Sequence, residues 1–225
     1  MAKKGKIQTV LNLQFQCEKE HWSNYGKDQL IKIGEKFTGI LLQENSYHDL
    51  DVLDQIGFFP IFIPELNALK NIPQTKQNSK DAFHHSLTAV QHVIPSQTLK
   101  WAALLHDIGK AHFRTTAKGE FDFRGHEFNG AKLAKGILRR MDIRGSADIY
   151  KLIQFHTHPL DYQRQPNWKL ETVKNFIHKY EHLAKPLIDL AIADKISSSS
   201  KSEYLEELYK LKNIVDEISY DKKTI

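Results

Sequence analysis

Apolar residues recur at helical spacing along most of this 225-residue chain, and strand-type alternation does not persist anywhere for long. Between Lys27 and Leu42, for example, Leu30, Ile31, Ile33, Phe37, Ile40 and Leu41 follow a 3.6-residue repeat. A chain patterned this way can bury its apolar stripes only by packing helix on helix. The expected fold class is therefore all-α, a helical bundle with an N-terminal helical extension.

The best strand candidate, Phe58 to Pro64, carries internal and terminal prolines and reads as a linker between helices. Asn71 to Asp81 is polar and reads as a loop. Five helical stretches then matter for function. They are Ala82 to Val93, Leu99 to His106 with Gly109 as its C-cap, His126 to Met141, Ala147 to His158 stopped by Pro159, and Pro186 to Ile196. Between the second and third, His112 to Gly125 reads as a charged, glycine-rich loop. Glu203 to Ile218 is an amphipathic helix whose last neighbours fray. The chain thus divides into an N-terminal helical segment (1–75), a core (76–200) and a C-terminal helix and tail (201–225).

Composition excludes several classes of protein. The single cysteine, Cys17, rules out a disulfide framework within the chain and a cysteine-based zinc knuckle. No run reaches the roughly 18 apolar residues of a membrane span. The basic start, Met1-Ala-Lys-Lys-Gly-Lys, is not followed by an apolar stretch with a cleavage site. A cytoplasmic setting without membrane contact is the expectation. The net charge of +5 favours anionic partners such as nucleotides or RNA.

Chemistry concentrates in one set of side chains. Leu104-Leu105-His106-Asp107-Ile108-Gly109-Lys110 is an apolar helix end that delivers an imidazole and a carboxylate side by side. Adjacent helical positions point about 100° apart, so the pair does not chelate from one helix face. From the terminus both can reach one metal ion, or the carboxylate can bridge two. His85 from an earlier helix and Asp194 from a later one would close a four-ligand site with positions open for water and phosphate. His126 and His156 would hold a second metal sharing Asp107, or act as phosphate binders or general acids. Lys110 is either a cation suited to a helix C-terminus or a phosphate anchor. Arg114 and Arg124 flank the loop as candidate substrate contacts or as solvated surface charges, and Glu127 either orients His126 or is a first-turn residue favoured by the helix dipole. The other histidines (His21, His48, His84, His92, His112, His158, His178 and His182) read as structural or surface residues, with His158, two residues after His156, the first exception to consider.

The order His … His-Asp … Asp resembles the HD superfamily of metal-dependent phosphohydrolases, all-helical domains that act on phosphoesters. More narrowly, the chain resembles the C-terminal half of bacterial tRNA nucleotidyltransferases that add CCA. The likeness is carried by Val52-Leu53-Asp54-Gln55-Ile56-Gly57-Phe58-Phe59, Ile63-Pro64-Glu65-Leu66, Ile72-Pro73-Gln74 and Asp81-Ala82-Phe83-His84-His85-Ser86-Leu87. It continues through Trp101 to Lys110, Gly125-His126-Glu127-Phe128-Asn129-Gly130-Ala131 and Ala193-Asp194. The resemblance implies an HD phosphohydrolase domain over 76–200. It implies His85, His106, Asp107 and Asp194 as metal ligands, and His126 and His156 as ligands in two-metal members. The nucleotidyltransferase head is not represented: the only Asp-x-Asp, Asp49-Leu50-Asp51, sits between helical stretches, and its nearest variant is Glu120-Phe121-Asp122. Nucleotide addition is therefore not expected.

The reading that follows is a phosphodiesterase or phosphatase acting on nucleotides or RNA ends, for example 2′,3′-cyclic phosphates, through a metal-activated water. Asp107, Lys110 and His126 are its candidate catalytic residues, and Arg114, Arg124 and His156 its substrate contacts. One or two divalent ions are expected; manganese, nickel, cobalt, iron, zinc and magnesium all suit such ligands. The competing readings are an RNA- or nucleotide-binding module that has lost catalysis, and an HD-type hydrolase of nucleoside triphosphates or alarmones.

Overall fold

The computed structural model describes residues 21–74, 81–112, 114–115, 121–163, 170–198 and 202–221. Twelve α-helices follow one another among them: α1 (Lys27–Leu41), α2 (Ser46–Gln55), α3 (Phe58–Phe62), α4 (Pro64–Asn67), α5 (Ala82–His92), α6 (Gln97–Leu105), α7 (His126–Arg140), α8 (Ser146–Phe155), α9 (His158–Gln163), α10 (Leu170–Tyr180), α11 (Ala184–Ser197) and α12 (Ser202–Asp221). The all-α expectation holds. Among the described residues, strand pairing is limited to a two-residue antiparallel ladder, β1 (Arg114–Thr115) with β2 (Phe121–Asp122), inside the stretch expected to be a plain loop.

Three boundaries differ from the sequence reading, each for a local reason. Phe58 to Pro64 is not a linker: it forms α3 and the start of α4. Pro60 lies in the first turn of α3 and Pro64 begins α4, where a backbone N–H has no intrahelical acceptor to lose. The helix after Ala147 ends at His156 rather than at Pro159, which instead lies in the first turn of α9. Asp49 and Asp51 lie on α2, where Asp51 accepts a hydrogen bond from Gln55 at 2.8 Å. The sequence reading also named no helix over Leu170–Tyr180, which is α10. Cys17, Glu120, and the divisions placed at 75/76 and 200/201 lie outside the described residues.

Helix packing explains how distant ligands meet. α11 is apolar on most of its circumference (Leu187, Ile188, Leu190, Ala191, Ile192 and Ala193 are all buried), so it runs through the bundle rather than along its edge. It packs against α5, α6, α8 and α12, while α7 lies across α8 and the turn after α6. One cluster of buried apolar side chains runs from Tyr25 to Val215, with Phe37, Phe58, Phe59, Phe62, Phe83 and Trp101 as its bulkiest members. The Trp101 indole N–H donates to Thr38 Oγ1 at 2.9 Å, which satisfies the one polar atom that side chain buries. Arg140 at the end of α7 forks onto both Glu65 oxygens at 2.6 and 2.7 Å and donates to the Phe62 carbonyl, tying α7 to α3 and α4. Among the described residues no helix is long and apolar enough to cross a membrane.

Candidate metal centre

Five helices deliver the site. His85 sits mid-α5, His106 is the C-cap of α6 with Asp107 next to it, His156 is the C-cap of α8, and His126 is the first residue of α7. Asp194 comes from the last turn of α11. His85, His106, Asp107 and His156 are almost wholly buried.

Helix termini fix the histidine rings. The last carbonyls of a helix lack intrahelical donors. His106 donates Nδ1–H to the Ala103 carbonyl at 2.8 Å, and His156 donates Nδ1–H to the Ile153 carbonyl at 2.7 Å. His126 makes the same bond to the Phe123 carbonyl at 2.9 Å. A carbonyl can only accept, so Nδ1 carries the proton in all three rings, and in the neutral form Nε2 is a bare lone pair.

Those Nε2 atoms converge. His85 Nε2 lies 3.2 Å from His106 Nε2, and His126 Nε2 lies 3.3 Å from His156 Nε2. Asp107 stands between the two pairs. Its Oδ2 is 3.3 Å from His106 Nε2 and 3.6 Å from His85 Nε2, while its Oδ1 is 3.3 Å from His126 Nε2 and 3.9 Å from His156 Nε2. Asp194 Oδ1 joins the first group at 2.9 Å from His85 Nε2. His85, His106 and Asp107 therefore form one group that could hold a metal ion, and Asp107, His126 and His156 a second.

Electrostatics shows that the first group wants a cation. Burial opposes charge on His106, yet Asp107, with Asp194, raises its pKa to about 10. Burial also opposes ionisation of Asp107, but His106 and Lys110 hold its carboxyl well below the usual carboxylate range. For Asp194 burial works the same way, and hydrogen bonds from His106 and His85 keep its carboxyl well below that range too. In the second group burial, reinforced by His106 and His126, pushes His156 down to about 3, so its imidazole stays neutral. His126 Nε2 and His156 Nε2 face each other at 3.3 Å, a pair of donor atoms that one cation could share. His85 Nδ1 is buried without a hydrogen-bond partner among the described residues, so polar contacts hold its ring through Nε2 alone. Imidazole nitrogens with carboxylate oxygens are the donor set of a divalent transition ion, and the residues fit one.

Residues 83–199 match the HD domain family, more than half of the chain. The chain belongs to the HD domain family. Relatives of this HD protein include the A-adding tRNA nucleotidyltransferase of Deinococcus radiodurans, 26% identical over 183 residues, covering 76% of this chain and 40% of the relative. The CC-adding tRNA nucleotidyltransferase of Thermus thermophilus is 27% identical over 176 residues, covering 74% and 39%. The multifunctional CCA protein of Pseudomonas syringae pv. syringae is 30% identical over 152 residues, covering 63% and 36%. The HD chain thus spans about two fifths of the length of the curated relatives it matches.

All six candidate ligands come together; the other candidates divide. Lys110 Nζ lies 2.6 Å from Asp107 Oδ2, inside the site rather than on the surface. Glu127 Oε2 lies 3.1 Å from His126 Nδ1, where it reinforces the tautomer set by Phe123. Arg124 is set apart: its exposed guanidinium forks onto Asp122 at 2.9 and 2.7 Å. Arg114 belongs to β1, and its side chain lies outside the described residues. Several bland readings are matched by a partner: His84 pairs with Asp81, His182 with Asp148, and His158 with the Tyr180 hydroxyl.

Two site residues escaped the sequence reading. Gln74 donates to Asp107 Oδ2 at 3.1 Å and accepts from Lys110 at 3.3 Å, completing the hydrogen bonding of that carboxylate. Its only signal was membership of the Ile72-Pro73-Gln74 stretch. Gly109 is not a left-handed helix cap. It lies in a 3-10 turn, Ile108–His112, where a Cβ would stand 2.0 Å from the His126 carbonyl oxygen and 2.6 Å from Gly130 N. Glycine is needed there because α7 passes backbone to backbone, which brings His126 to Asp107.

Proposed function

We propose that this HD protein is a metal-dependent phosphohydrolase acting on phosphoesters of nucleotides or RNA ends, 2′,3′-cyclic phosphates among them. The observation that carries the reading is Asp107: one buried carboxylate faces two separate groups of Nε2 lone pairs, an oxygen toward each. His85, His106, Asp107 and Asp194 would hold one ion and Asp107, His126 and His156 a second, and two such ions would supply charge to stabilise attacking and leaving oxygens. A divalent ion held there lowers the pKa of water and polarises a phosphoryl oxygen.

The protein's own groups have distinct tasks. Asp107, held by Gln74 and Lys110, keeps its carboxylate plane fixed between the two groups. Lys110 places a cation beside the position where charge builds on phosphoryl oxygens. His126, its ring fixed by Phe123 and Glu127, turns its Nε2 to Asp107 Oδ1 and His156 Nε2 at 3.3 Å each, as a ligand of a second ion or, with one ion, as a proton donor or acceptor. His156, held neutral, serves as ligand or phosphate contact. The described parts of the flanking segments, 21–74 and 202–221, share the apolar cluster that backs the core, through Phe37, Leu41, Phe58, Leu208, Leu211 and Val215 among others. The chain's single cysteine and basic charge suit a cytoplasmic, nucleic-acid-rich setting.

The test is a phosphoester panel: 2′,3′-cyclic nucleotides, 2′- and 3′-nucleotides, nucleoside triphosphates and bis-p-nitrophenyl phosphate, with each divalent ion in turn. Turnover should appear with wild-type protein and vanish in the His106→Ala/Asp107→Ala variant while its helical circular dichroism persists. Turnover that survives in the double variant would overturn the assignment.

A further inference from the structure

Gln74, which hydrogen-bonds Asp107 and Lys110, lies on a segment, 71–74, that belongs to no helix or strand. An irregular segment keeps a side chain in place only if its own backbone is tied down. Here the ties converge on Asp81, the N-cap of α5. Asp81 Oδ2 accepts from the Asn71 backbone N–H at 3.2 Å, while Oδ1 accepts from the His84 backbone N–H at 2.9 Å and from His84 Nδ1–H at 2.7 Å. One residue on, the Ala82 backbone N–H donates to the Ile72 carbonyl at 2.9 Å, and the Ile72 side chain is buried in the apolar cluster. The segment is therefore pinned at two successive residues, just before Gln74.

Capping α5 needs only one side-chain oxygen. Asp81 has both engaged and is 4% exposed. Burial opposes its charge, yet the hydrogen bonds from His84 and Asn71 hold the carboxyl below its ordinary range, so it is an anion whose oxygens only accept. Asn71 presents its N–H to Asp81 from a left-handed backbone, φ 65°, which residues other than glycine seldom adopt. A helix cap requires none of this; the second oxygen serves the 71–74 segment alone.

We propose that Asp81 is a positioning residue of the metal centre: by clamping Asn71 to the start of α5 it sets Gln74 against Asp107 Oδ2 and so fixes the carboxylate that both ligand groups share. The inference rests on the reading of this centre as a metal site. An Asp81 that merely capped α5 would act on the centre through His85, not through Gln74, and the two routes can be told apart.

Manganese affinity, measured by isothermal titration calorimetry, tests the clamp without requiring turnover. Gln74→Ala should weaken binding by roughly tenfold, the lower end for a group that orients a metal ligand. Asp81→Asn keeps an oxygen to cap α5 but turns an NH2 group toward a donor, so the Asn71 tie is lost. It should weaken manganese by the same factor of roughly ten while helical circular dichroism matches wild type. Asp81→Ser, which caps with a single oxygen, should do likewise. Because Asp81 and Gln74 act through one contact, Gln74→Ala/Asp81→Asn should bind no more weakly than Gln74→Ala alone, whereas independent effects would multiply to about a hundredfold. Wild-type affinity in Asp81→Asn and Asp81→Ser, or a double variant weakened about a hundredfold, would overturn the positioning role and leave the metal centre standing. Wild-type protein that binds neither manganese nor any other divalent ion would instead remove the metal reading and, with it, the inference.

Discussion

Asp107→Asn should reduce phosphoester turnover by about 10³-fold or more while the protein still folds. The substitution keeps the side chain's shape and removes the charge that both ligand groups share. It also removes the main support for charge on His106, whose raised pKa should fall back as Asp107 loses its anion. The two effects partly cancel in the metal-free protein: one buried charge disappears with the partner that balanced it, leaving Lys110 able to turn toward Gln74. Thermal melting of metal-free Asp107→Asn should therefore stay near that of wild type, whereas the rise in melting temperature produced by added divalent ion should be lost. A variant that keeps both its turnover and its metal-induced stabilisation would show that Asp107 does not bridge the centre.

Among the described glycines, Gly109 should tolerate an added methyl group (Gly109→Ala) least. Its Cβ would meet backbone atoms of α7 at 2.0 and 2.6 Å, and backbone cannot rotate aside as a side chain can. The 3-10 turn and α7 must separate. That costs about 3 kcal/mol, the upper end of the usual range for overpacking, which lowers the melting temperature by roughly 10 °C for a chain of this size. The same displacement moves His126 from Asp107, now 3.3 Å apart, so loss of the second metal position should accompany loss of stability. Differential scanning calorimetry of the metal-free variant checks this; melting within about 2 °C of wild type would mean that the turn yields freely.

These two residues also show how far the sequence could be read. The helical repeat disclosed the fold class because its cause, one apolar stripe per helix, is local. The candidate ligands were legible as a set of histidines and aspartates spread over apolar helices, and all six side chains do converge. The tautomers were not legible. They depend on the carbonyls of Ala103 and Ile153 at the ends of α6 and α8, and on the Phe123 carbonyl just before α7, whose positions follow only once the helix boundaries are known. Gly109 was misread because a glycine after an apolar helix ordinarily marks a left-handed cap; here the demand comes from α7, a tertiary neighbour some twenty residues on. Pro60 misled for the converse reason: its effect depends on where the helix starts, and Gly57, in the left-handed conformation, starts α3 early enough to tolerate it. Gln74 carries no chemical signature of its own; its role comes from lying against Lys110 and Asp107.

The most direct test of the metal centre is a count of bound ions per chain. Wild-type protein stripped with chelator, reloaded with manganese, passed through a desalting column and assayed by plasma mass spectrometry should retain two ions. The His126→Ala/His156→Ala variant should retain one, held by the His85, His106, Asp107 and Asp194 group. Wild-type protein that retains none, with manganese and with each other divalent ion, would contradict the account at its centre.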